Sequence, residues 1–295
     1  MEYNRKLAAG FLLAAISAVT FSIKGVLAKM LYARGMDPAT LLGARFAVAV
    51  PFFWLALWLF PSSKVTRRDA VALILSGLVG FCGAAYADFY GLLYVDATIE
   101  RVIIYTYPAV VVLLSALFFG EKLTARKLFS IALTYAGLAL TLRLFSSGLR
   151  ADLFGSALIF LSALIYSFNY IITEVLGRRV SGVKLSAYAA TAAGAGFIAV
   201  WHGDPMPSGF EVWALLVVMG VVSTFIPVLA LALAIKRIGA SKSALVSFIG
   251  PVATALLAYS LLGERMDGVQ ISGMCLVIIG VLIISTGKGR PKGGI

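Results

Sequence analysis

The chain has 295 residues, of which 61% are hydrophobic and 13% charged, and its mean hydropathy is +0.99. Ordinary soluble domains have roughly 45 to 50% apolar and about 25% charged residues, so the composition excludes a soluble globular protein. It predicts an all-α integral membrane protein. The formal charge of +12 does not indicate nucleic-acid binding, because the basic residues are scattered over short loops without a long basic run or a basic face.

Ten apolar segments of about membrane-spanning length follow one another along the chain. The first is longer than a usual signal-peptide core and similar segments follow it, so we interpret it as a retained helix. The connections contain Pro, Ser, Gly and charged residues, as expected for turns, and the tail at 288–295 is expected to be disordered. The predicted helices cover approximately 7–31, 40–60, 70–94, 97–119, 127–144, 153–176, 185–201, 212–235, 240–262 and 268–286.

Two of these segments share a skeleton. Residues 97–124 match residues 240–267, with Pro108 aligned on Pro251 at an offset of 143 residues. A proline inside a membrane helix frees backbone groups that neighbouring helices must satisfy. Interrupted helices at corresponding places in two halves indicate a transporter's substrate site, so we predict gating roles for Pro108, Pro251 and the adjacent Gly250. The same offset aligns Gly120-Glu121 with Gly263-Glu264 and Gly137 with Gly280.

A weaker correspondence joins the first and sixth segments at an offset of 145 residues. Three residues of each segment have i, i+4, i+7 spacing and lie along one helical stripe. Helix packing alone explains a small or aromatic residue at such a place, but not a lysine. The chain is therefore interpreted as a duplication, with a first repeat at 1–146 and a second at 147–295. The matched pairs are Ser17 with Ser162, Phe21 with Tyr166, and Lys24 with Asn169.

The distribution of basic residues predicts the orientation. Seventeen of the 25 Lys and Arg residues lie at the termini and in the loops after the second, fourth, sixth and eighth segments, whereas five lie on the opposite side. The positive-inside rule then places both termini in the cytoplasm, and we expect a multi-pass protein of the bacterial inner membrane. Five helices is an odd number, so the second repeat enters from the opposite side and the two repeats are inverted.

Five ionisable side chains lie inside apolar segments of the first repeat, toward the predicted outer half of the membrane. Such groups are costly in lipid and normally face a protein interior or a wet cavity. Two interpretations remain open: the charges pair with one another, or they hold the carboxylate and ammonium groups of a zwitterion. Arg45, Glu100 and Arg101 also lie close enough to the outer interface to reach it. The five are Lys24, Arg45, Asp88, Glu100 and Arg101.

Tyrosines recur at helical spacing on the same segments. A tyrosine within a membrane needs a partner for its hydroxyl, and a chamber lined by tyrosines suits small amphipathic metabolites, although aromatic stripes also serve packing. The ninth segment contributes small residues that allow close helix approach. Besides the charged group, the predicted substrate-binding residues are Tyr86, Tyr90, Tyr105, Tyr107, Tyr166, Asn169 and Ser247.

Signatures of catalysis are missing from the sequence. His202, the one histidine, lies in a loop, and no GxSxG, HExxH, P-loop or CxxC motif occurs. We therefore expect no enzyme, cofactor or metal site. The lack of a nucleotide-binding motif disfavours ATP-driven transport, and the lack of a selectivity filter disfavours a channel. Cys82 and Cys275 have no partner at a useful spacing, so both are expected to be buried apolar side chains.

The quoted features resemble a known family over about the whole chain. Gly10–Lys24, its counterpart Gly155–Asn169 and the two Pro to Gly-Glu blocks are similar to the ten-helix EamA-type members of the drug/metabolite transporter superfamily. The resemblance implies two inverted five-helix repeats, with helices one to four and six to nine around a central cavity and helices five and ten outside it. The blocks are Pro108 with Gly120-Glu121-Lys122, and Pro251 with Gly263-Glu264-Arg265.

Within that superfamily, the YddG-like aromatic amino acid exporters are the nearest functional type. The resemblance implies substrate contacts from Lys24 on helix one and from Tyr105 and Tyr107 on helix four. Such exporters can carry a tryptophan before the helix-four proline, where this chain has Tyr107. A preference for aromatic substrates is therefore left open.

The sequence thus predicts an exporter of amino acids, aromatic or otherwise neutral, or of similar small metabolites, working by alternating access in the lipid bilayer. Lys24, helped by Arg45 or Arg101, is expected to hold a carboxylate. Asp88 or Glu100 is expected to hold an ammonium group or a coupling proton. The alternatives are a transporter of a nucleoside, sugar derivative or drug, and a non-transporting scaffold or sensor. Energy coupling and the choice between monomer and homodimer stay open.

Overall fold

The structure is a computed structural model that describes residues 2–60, 65–144, 152–201, 209–262 and 267–285. Within these ranges every element is helical. Eight helices are long and apolar enough to cross a membrane, and a shorter apolar helix covers Ala240–Leu256. The eight are Arg5–Tyr32, Pro38–Leu59, Arg67–Gly91, Ile99–Phe119, Leu153–Gly177, Gly182–Val200, Phe210–Ile238 and Gly268–Ser285.

Several of these spans consist of shorter helical pieces. A π-helical segment, Ser76–Gly83, joins the α-helices Arg67–Leu75 and Ala84–Gly91, and a second, Val221–Phe225, joins Phe210–Gly220 and Ile226–Ile238. The α-helices are α1 Glu2–Ser22, α2 Lys24–Tyr32, α3 Pro38–Leu59, α4 Arg67–Leu75, α5 Ala84–Gly91, α6 Ala97–Ile104, α7 Tyr107–Phe119, α8 Ala125–Thr141, α9 Leu153–Gly177, α10 Gly182–Val200, α11 Phe210–Gly220, α12 Ile226–Ile238, α13 Ala240–Val246, α14 Ile249–Leu262 and α15 Gly268–Ser285.

The connections stop and start the helices with ordinary capping chemistry. Asp37 accepts hydrogen bonds from the backbone of Ala39 and Thr40 at the start of α3, and Thr66, Thr124, Asp152 and Ser181 begin other helices in the same way. We call the membrane face at residues 33–37 the 33–37 face and the opposite one the 178–181 face. His202, the connections at 61–64, 145–151 and 203–208, residues 263–266 and the tail at 288–295 lie outside the described residues.

The predicted fourth and ninth helices are each broken. The fourth stops at Ile104 and resumes at Tyr107, and the ninth stops at Val246 and resumes at Ile249. The proline ring removes a donor and clashes with the carbonyl four residues earlier, which for Pro108 belongs to Ile104 and for Pro251 to Ser247. Each break therefore lies one turn before its proline, and the single helices predicted over 97–119 and 240–262 are corrected to pairs of helices.

The helices pack in pairs that join the two halves of the chain. Besides α8 with α15, these are α1 with α12, α3 with α10, and α5 with α9. Ser130 Oγ donates to the Gly280 carbonyl (2.7 Å), and Gln270 Nε2 donates to the Thr141 carbonyl (3.4 Å). Residue numbers thus rise along α8 while they fall along α15, so these two helices are antiparallel.

Large apolar side chains on the outside of the helices suit a lipid environment. Trp58 and Phe210 are 81% and 89% exposed, which would be costly in water. Inside, one apolar cluster surrounds the two helix breaks, and another lies between α3 and α10. The prediction of two buried cysteines is wrong for Cys275, which is exposed on α15, and Cys82 is half-buried. Hydropathy alone cannot distinguish the lipid-facing side of such a helix from its packed side.

Candidate functional site

Four buried charged side chains form a chain of alternating sign near the 33–37 face. The Lys24 ammonium on α2 makes a short ion pair with Asp88 on α5 and lies 4.0 Å from Glu100 Oε1. Glu100 Oε2 in turn lies 3.3 Å from Arg101 Nε on α6. None of the four side chains is more than 9% exposed. The chain of charges therefore ties together the ends of three helices of the first half.

Arg45 is a fifth buried charge, and its environment differs from that of the other four. It is 3% exposed, its Nε donates to Thr224 Oγ1, and its Nη2 donates to the Ser223 carbonyl (3.0 Å). Both acceptors belong to the second π-helical segment. In the part of the chain that the structure describes, no carboxylate lies within 4.0 Å of its guanidinium. Among the described residues, Arg45 thus has no ion-pair partner.

Aromatic rings surround the two cations of this region. The Arg45 guanidinium carbon lies 5.6 Å from the ring centres of Phe46 and Phe89 and 5.9 Å from that of Phe21. The Lys24 ammonium lies 5.2 Å from the Phe89 ring centre and 5.4 Å from that of Phe21. Each contact is within the cation–π range. The rings stabilise the cations without removing their net charge.

A cavity of about 60 Å³ lies between these groups, which is room for a few water molecules. Lys24, Arg45 and Asp88 are its charged lining residues. Apolar walls complete it, together with the Tyr166 ring from α9. We call it the main cavity; the phenylalanines in its wall are Phe21, Phe46, Phe81 and Phe89.

The carboxylates beside the main cavity have unused acceptor atoms. Asp88 Oδ1 and both oxygens of Glu100 are buried without a hydrogen bond among the described residues. A buried acceptor without a donor costs free energy, roughly 1 to 3 kcal/mol and more when charged. A bound ammonium group could remove this cost at Asp88, because that residue lines the cavity. Arg45 and Asp88 together therefore present a cation and a free anionic oxygen to one space.

Only some of the predicted site residues line the main cavity. Lys24, Arg45, Asp88 and Tyr166 do. Glu100 and Arg101 are buried, but they lie behind Lys24 and outside the lining. Tyr86 and Tyr90 stack on each other with ring centres 5.7 Å apart and are not lining residues either. Sequence reasoning missed Phe46, Phe81 and Phe89, although Phe46 and Phe89 directly follow Arg45 and Asp88 in the chain.

The remaining predicted residues form a tyrosine cluster where the two broken helices cross. The Tyr107 hydroxyl donates to Ser247 Oγ in a short hydrogen bond, and the Tyr170 hydroxyl lies 3.4 Å from that of Tyr107. The Tyr107 and Tyr166 ring centres are 5.1 Å apart. Tyr105 stacks on Phe248 at 5.9 Å, and its hydroxyl lies against Gly250. Asn169 lies in a separate, smaller pocket. Among the described residues, no group of His, Cys, Asp and Glu could hold a metal ion.

Comparison with known proteins places this geometry in a family. The model of the EamA-like transporter family matches twice, over residues 8–143 and 153–286. The chain is 31% identical over 301 residues to the uncharacterized transporter YcbK of Bacillus subtilis, covering 98% of this chain and 95% of that protein. It is 25% identical over 285 residues to the pseudopaline exporter CntI of Pseudomonas aeruginosa, covering 96% and 98%. A solved crystal structure matches with a TM-score of 0.76 at 18% identity, over 94% of this chain and 96% of the other.

Proposed function

Because the chain belongs to the EamA-like transporter family, we propose that it exports a small zwitterionic metabolite, an amino acid or a close relative, by alternating access. The observation that carries this proposal is Arg45, a buried cation in the main cavity without a carboxylate partner. Asp88 Oδ1, an acceptor without a donor, lies in the lining of the same cavity. A molecule with one carboxylate and one ammonium group satisfies both.

Counting the charges identifies the group that each residue would bind. Among the five buried charges, Lys24 is paired with Asp88 and Arg101 with Glu100, which leaves Arg45 without a carboxylate within 4.0 Å in the described ranges. A buried charge is stable when it is paired, and a guanidinium suits a planar carboxylate. We therefore assign the substrate carboxylate to Arg45, with Lys24 orienting Asp88 toward the ammonium group. The phenylalanine wall accommodates an apolar side chain. The relative CntI is named for the export of another small molecule, pseudopaline.

For the architecture, we propose ten membrane helices in two inverted repeats, 1–146 and 147–295. The family model matches once in each. A Cβ on Gly137 would meet Gly273 and Val277 of α15, and one on Gly280 would meet Ser130 and Thr134 of α8. The two sets of contacts are equivalent, because residues 137 and 280, 130 and 273, and 134 and 277 are each 143 positions apart. Two corresponding helices that contact each other by equivalent residues, and run antiparallel, support a two-fold relation with inversion.

The same offset supports a hinge at the two breaks. Tyr105 and Phe248 are 143 residues apart, and they stack on each other, as equivalent residues at a two-fold axis do. We propose that Pro108, Pro251 and Gly250 let the halves rock about this point, so that one end of the cavity closes as the other opens. Substrate would then pass the tyrosine cluster.

We propose that the 178–181 face is cytoplasmic, with both termini there, in a bacterial inner membrane. The excess of Lys and Arg on that face supports this orientation. For coupling, we assign Glu100 as the proton acceptor, because it is fully buried and both of its oxygens lack a hydrogen bond in the described part of the chain. Protonation of Glu100 would leave Arg101 without its counter-charge. It would also weaken the attraction between Glu100 and Lys24, and so change the electrostatics of all four linked charges.

A counterflow assay with purified protein in liposomes tests the function. Labelled neutral amino acids, L-phenylalanine among them, and nucleosides are offered with and without a proton gradient. We expect exchange of amino acids and a loss of at least tenfold in Arg45→Gln, with Arg45→Lys retaining part of the rate because its charge remains. Arg34→Gln is the matched control, since Arg34 pairs with Glu211 at the surface, and its rate should stay within twofold of the parent.

Two results would contradict the proposal. Exchange of nucleosides without exchange of amino acids would show that the substrate is a nucleoside and not an amino acid. If the Arg45→Gln protein elutes as a single species and exchanges amino acids at the parental rate, Arg45 does not bind the substrate carboxylate.

A further inference from the structure

A second, smaller cavity lies beyond the main one, toward the 178–181 face. In this conformation it holds about 10 Å³, room for about one water molecule, and apart from Phe81 it is formed by residues of α9, α10 and α12 near the ends of these helices at that face. Phe81, Tyr166 and Val228 line both cavities. These three side chains therefore form the partition between two spaces, which we call the main cavity and the inner pocket.

The inner pocket occupies in the second half the place that the main cavity occupies in the first. The main cavity is lined by Phe21 and Lys24, and the inner pocket by Tyr166 and Asn169. These pairs correspond at the offset of 145 residues. The two spaces thus correspond to each other in the two halves, with the partition between them.

The chemistry of the inner pocket differs from that of the main cavity in one respect. None of its described lining residues is charged, yet two polar groups point to a ligand. Asn169 Oδ1 accepts from Ser76 Oγ at 2.6 Å, which leaves the amide Nδ2 as a donor. Ser186 is fully buried, and its hydroxyl has no hydrogen-bond partner among the described residues. The pocket therefore offers neutral donors, among them the Asn169 amide and the Ser186 hydroxyl.

We propose that the inner pocket is a second substrate station, in which Asn169 and Ser186 hold the carboxylate when the protein opens toward the 178–181 face. This inference rests on the proposed function. The carboxylate makes charge-assisted hydrogen bonds with either donor, but only Arg45 adds the attraction of an opposite net charge, so the carboxylate is held more tightly by Arg45 than by Asn169. The substrate enters at the weaker station and moves past Tyr166 to the stronger one.

Thiol labelling tests the opening of the pocket without any substrate. In a Cys82→Ala, Cys275→Ser background, Ser186→Cys is treated in oriented vesicles with the membrane-impermeant 2-sulfonatoethyl methanethiosulfonate. Ser115→Cys is the matched control, because Ser115 is equally buried, lacks a hydroxyl partner among the described residues and lines neither cavity. We expect Ser186→Cys to react at least tenfold faster than Ser115→Cys from the 178–181 face. Equal rates, or reaction from the 33–37 face alone, would overturn the station.

Transport kinetics test the role of Asn169. We expect Asn169→Ala to raise the half-saturating concentration of L-phenylalanine at least fivefold on the 178–181 face and less than twofold on the other. Arg45→Gln should raise it on both. A symmetric effect or none in Asn169→Ala, in a protein that exchanges L-phenylalanine, overturns the station but leaves the proposed function. If Ser186→Cys is labelled from the expected face but the protein exchanges no amino acid, the proposed cargo is wrong. The inner pocket would still open toward the 178–181 face.

Discussion

At the scale of single residues, the ion pair between Lys24 and Asp88 allows an asymmetric prediction. Lys24→Met leaves the Asp88 carboxylate buried without its partner, and breaking a buried pair costs roughly 3 to 5 kcal/mol. Asp88→Asn should cost less, because Lys24 keeps Glu100 at 4.0 Å as a second carboxylate. Thermal unfolding in detergent should therefore rank the melting temperatures as parent, then Asp88→Asn, then Lys24→Met.

The double variant is the control for that ranking. Lys24→Met with Asp88→Asn removes both charges, so its melting temperature should lie above that of Lys24→Met alone. If the two single effects simply add, the residues act independently and the ion pair contributes nothing to stability.

The residue scale also shows what the sequence can predict about the site. Charged residues inside apolar segments are visible at once, and all five are buried as expected for groups that lipid would reject. Their pairing is not visible, because it depends on which helices meet. Lys24 pairs across 64 residues of sequence, whereas Arg45 donates its hydrogen bonds to the Thr224 hydroxyl and the Ser223 carbonyl, 179 and 178 residues away. The cation without a counter-charge could therefore be found only from the packed helices.

At the scale of helical elements, the crossing of the two broken helices depends on the absence of a side chain at Gly250. A Cβ there would overlap the Tyr105 hydroxyl. We expect Gly250→Ala to lower the exchange rate at least fivefold. Tyr105→Phe removes the clashing oxygen, so the double variant Gly250→Ala, Tyr105→Phe should recover most of the rate. Counterflow in liposomes, normalised to folded protein, gives both values.

Gly43→Ala is the matched control for that prediction. Gly43 also lies within a helix, but a Cβ there would meet no atom within 4 Å, and alanine favours helix more than glycine by about 1 kcal/mol. Its rate and stability should be equal to or above those of the parent. A failure of Tyr105→Phe to rescue Gly250→Ala would mean that backbone flexibility at Gly250, and not the close approach, is what transport requires.

The elements themselves were predictable to different degrees. Long apolar runs predicted the spans, because lipid demands a minimum helix length. The π-helical segments were not predicted, since their extra residue per turn is stabilised by contacts with other helices. In the second one, Thr224 Oγ1 bonds the Met219 carbonyl at 2.8 Å and accepts from Arg45. Such segments often mark functional sites, and here one supplies both polar acceptors for Arg45.

At the scale of the whole molecule, the helix pairs argue that the halves do not fold as separate domains. The pairs α1 with α12, α3 with α10, α5 with α9 and α8 with α15 each take one helix from either half. Separating the halves would expose all of these faces to lipid, and would leave Arg45 without the Thr224 and Ser223 acceptors. The interface between the halves is thus the interior of the protein.

Cutting the chain between the halves tests this interdependence. With a protease site inserted between residues 146 and 147, cleavage after membrane insertion should leave one particle in mild detergent. The two fragments should elute together in size-exclusion chromatography and separate only on denaturation. The same insertion without protease treatment is the control for the added residues. Because the two fragments stay together, Arg45 of one fragment keeps its acceptors on the other. The cleaved protein should therefore also keep its exchange activity. Separate elution of two intact, folded fragments would mean that each repeat is an independent domain and that the main cavity is not built from both.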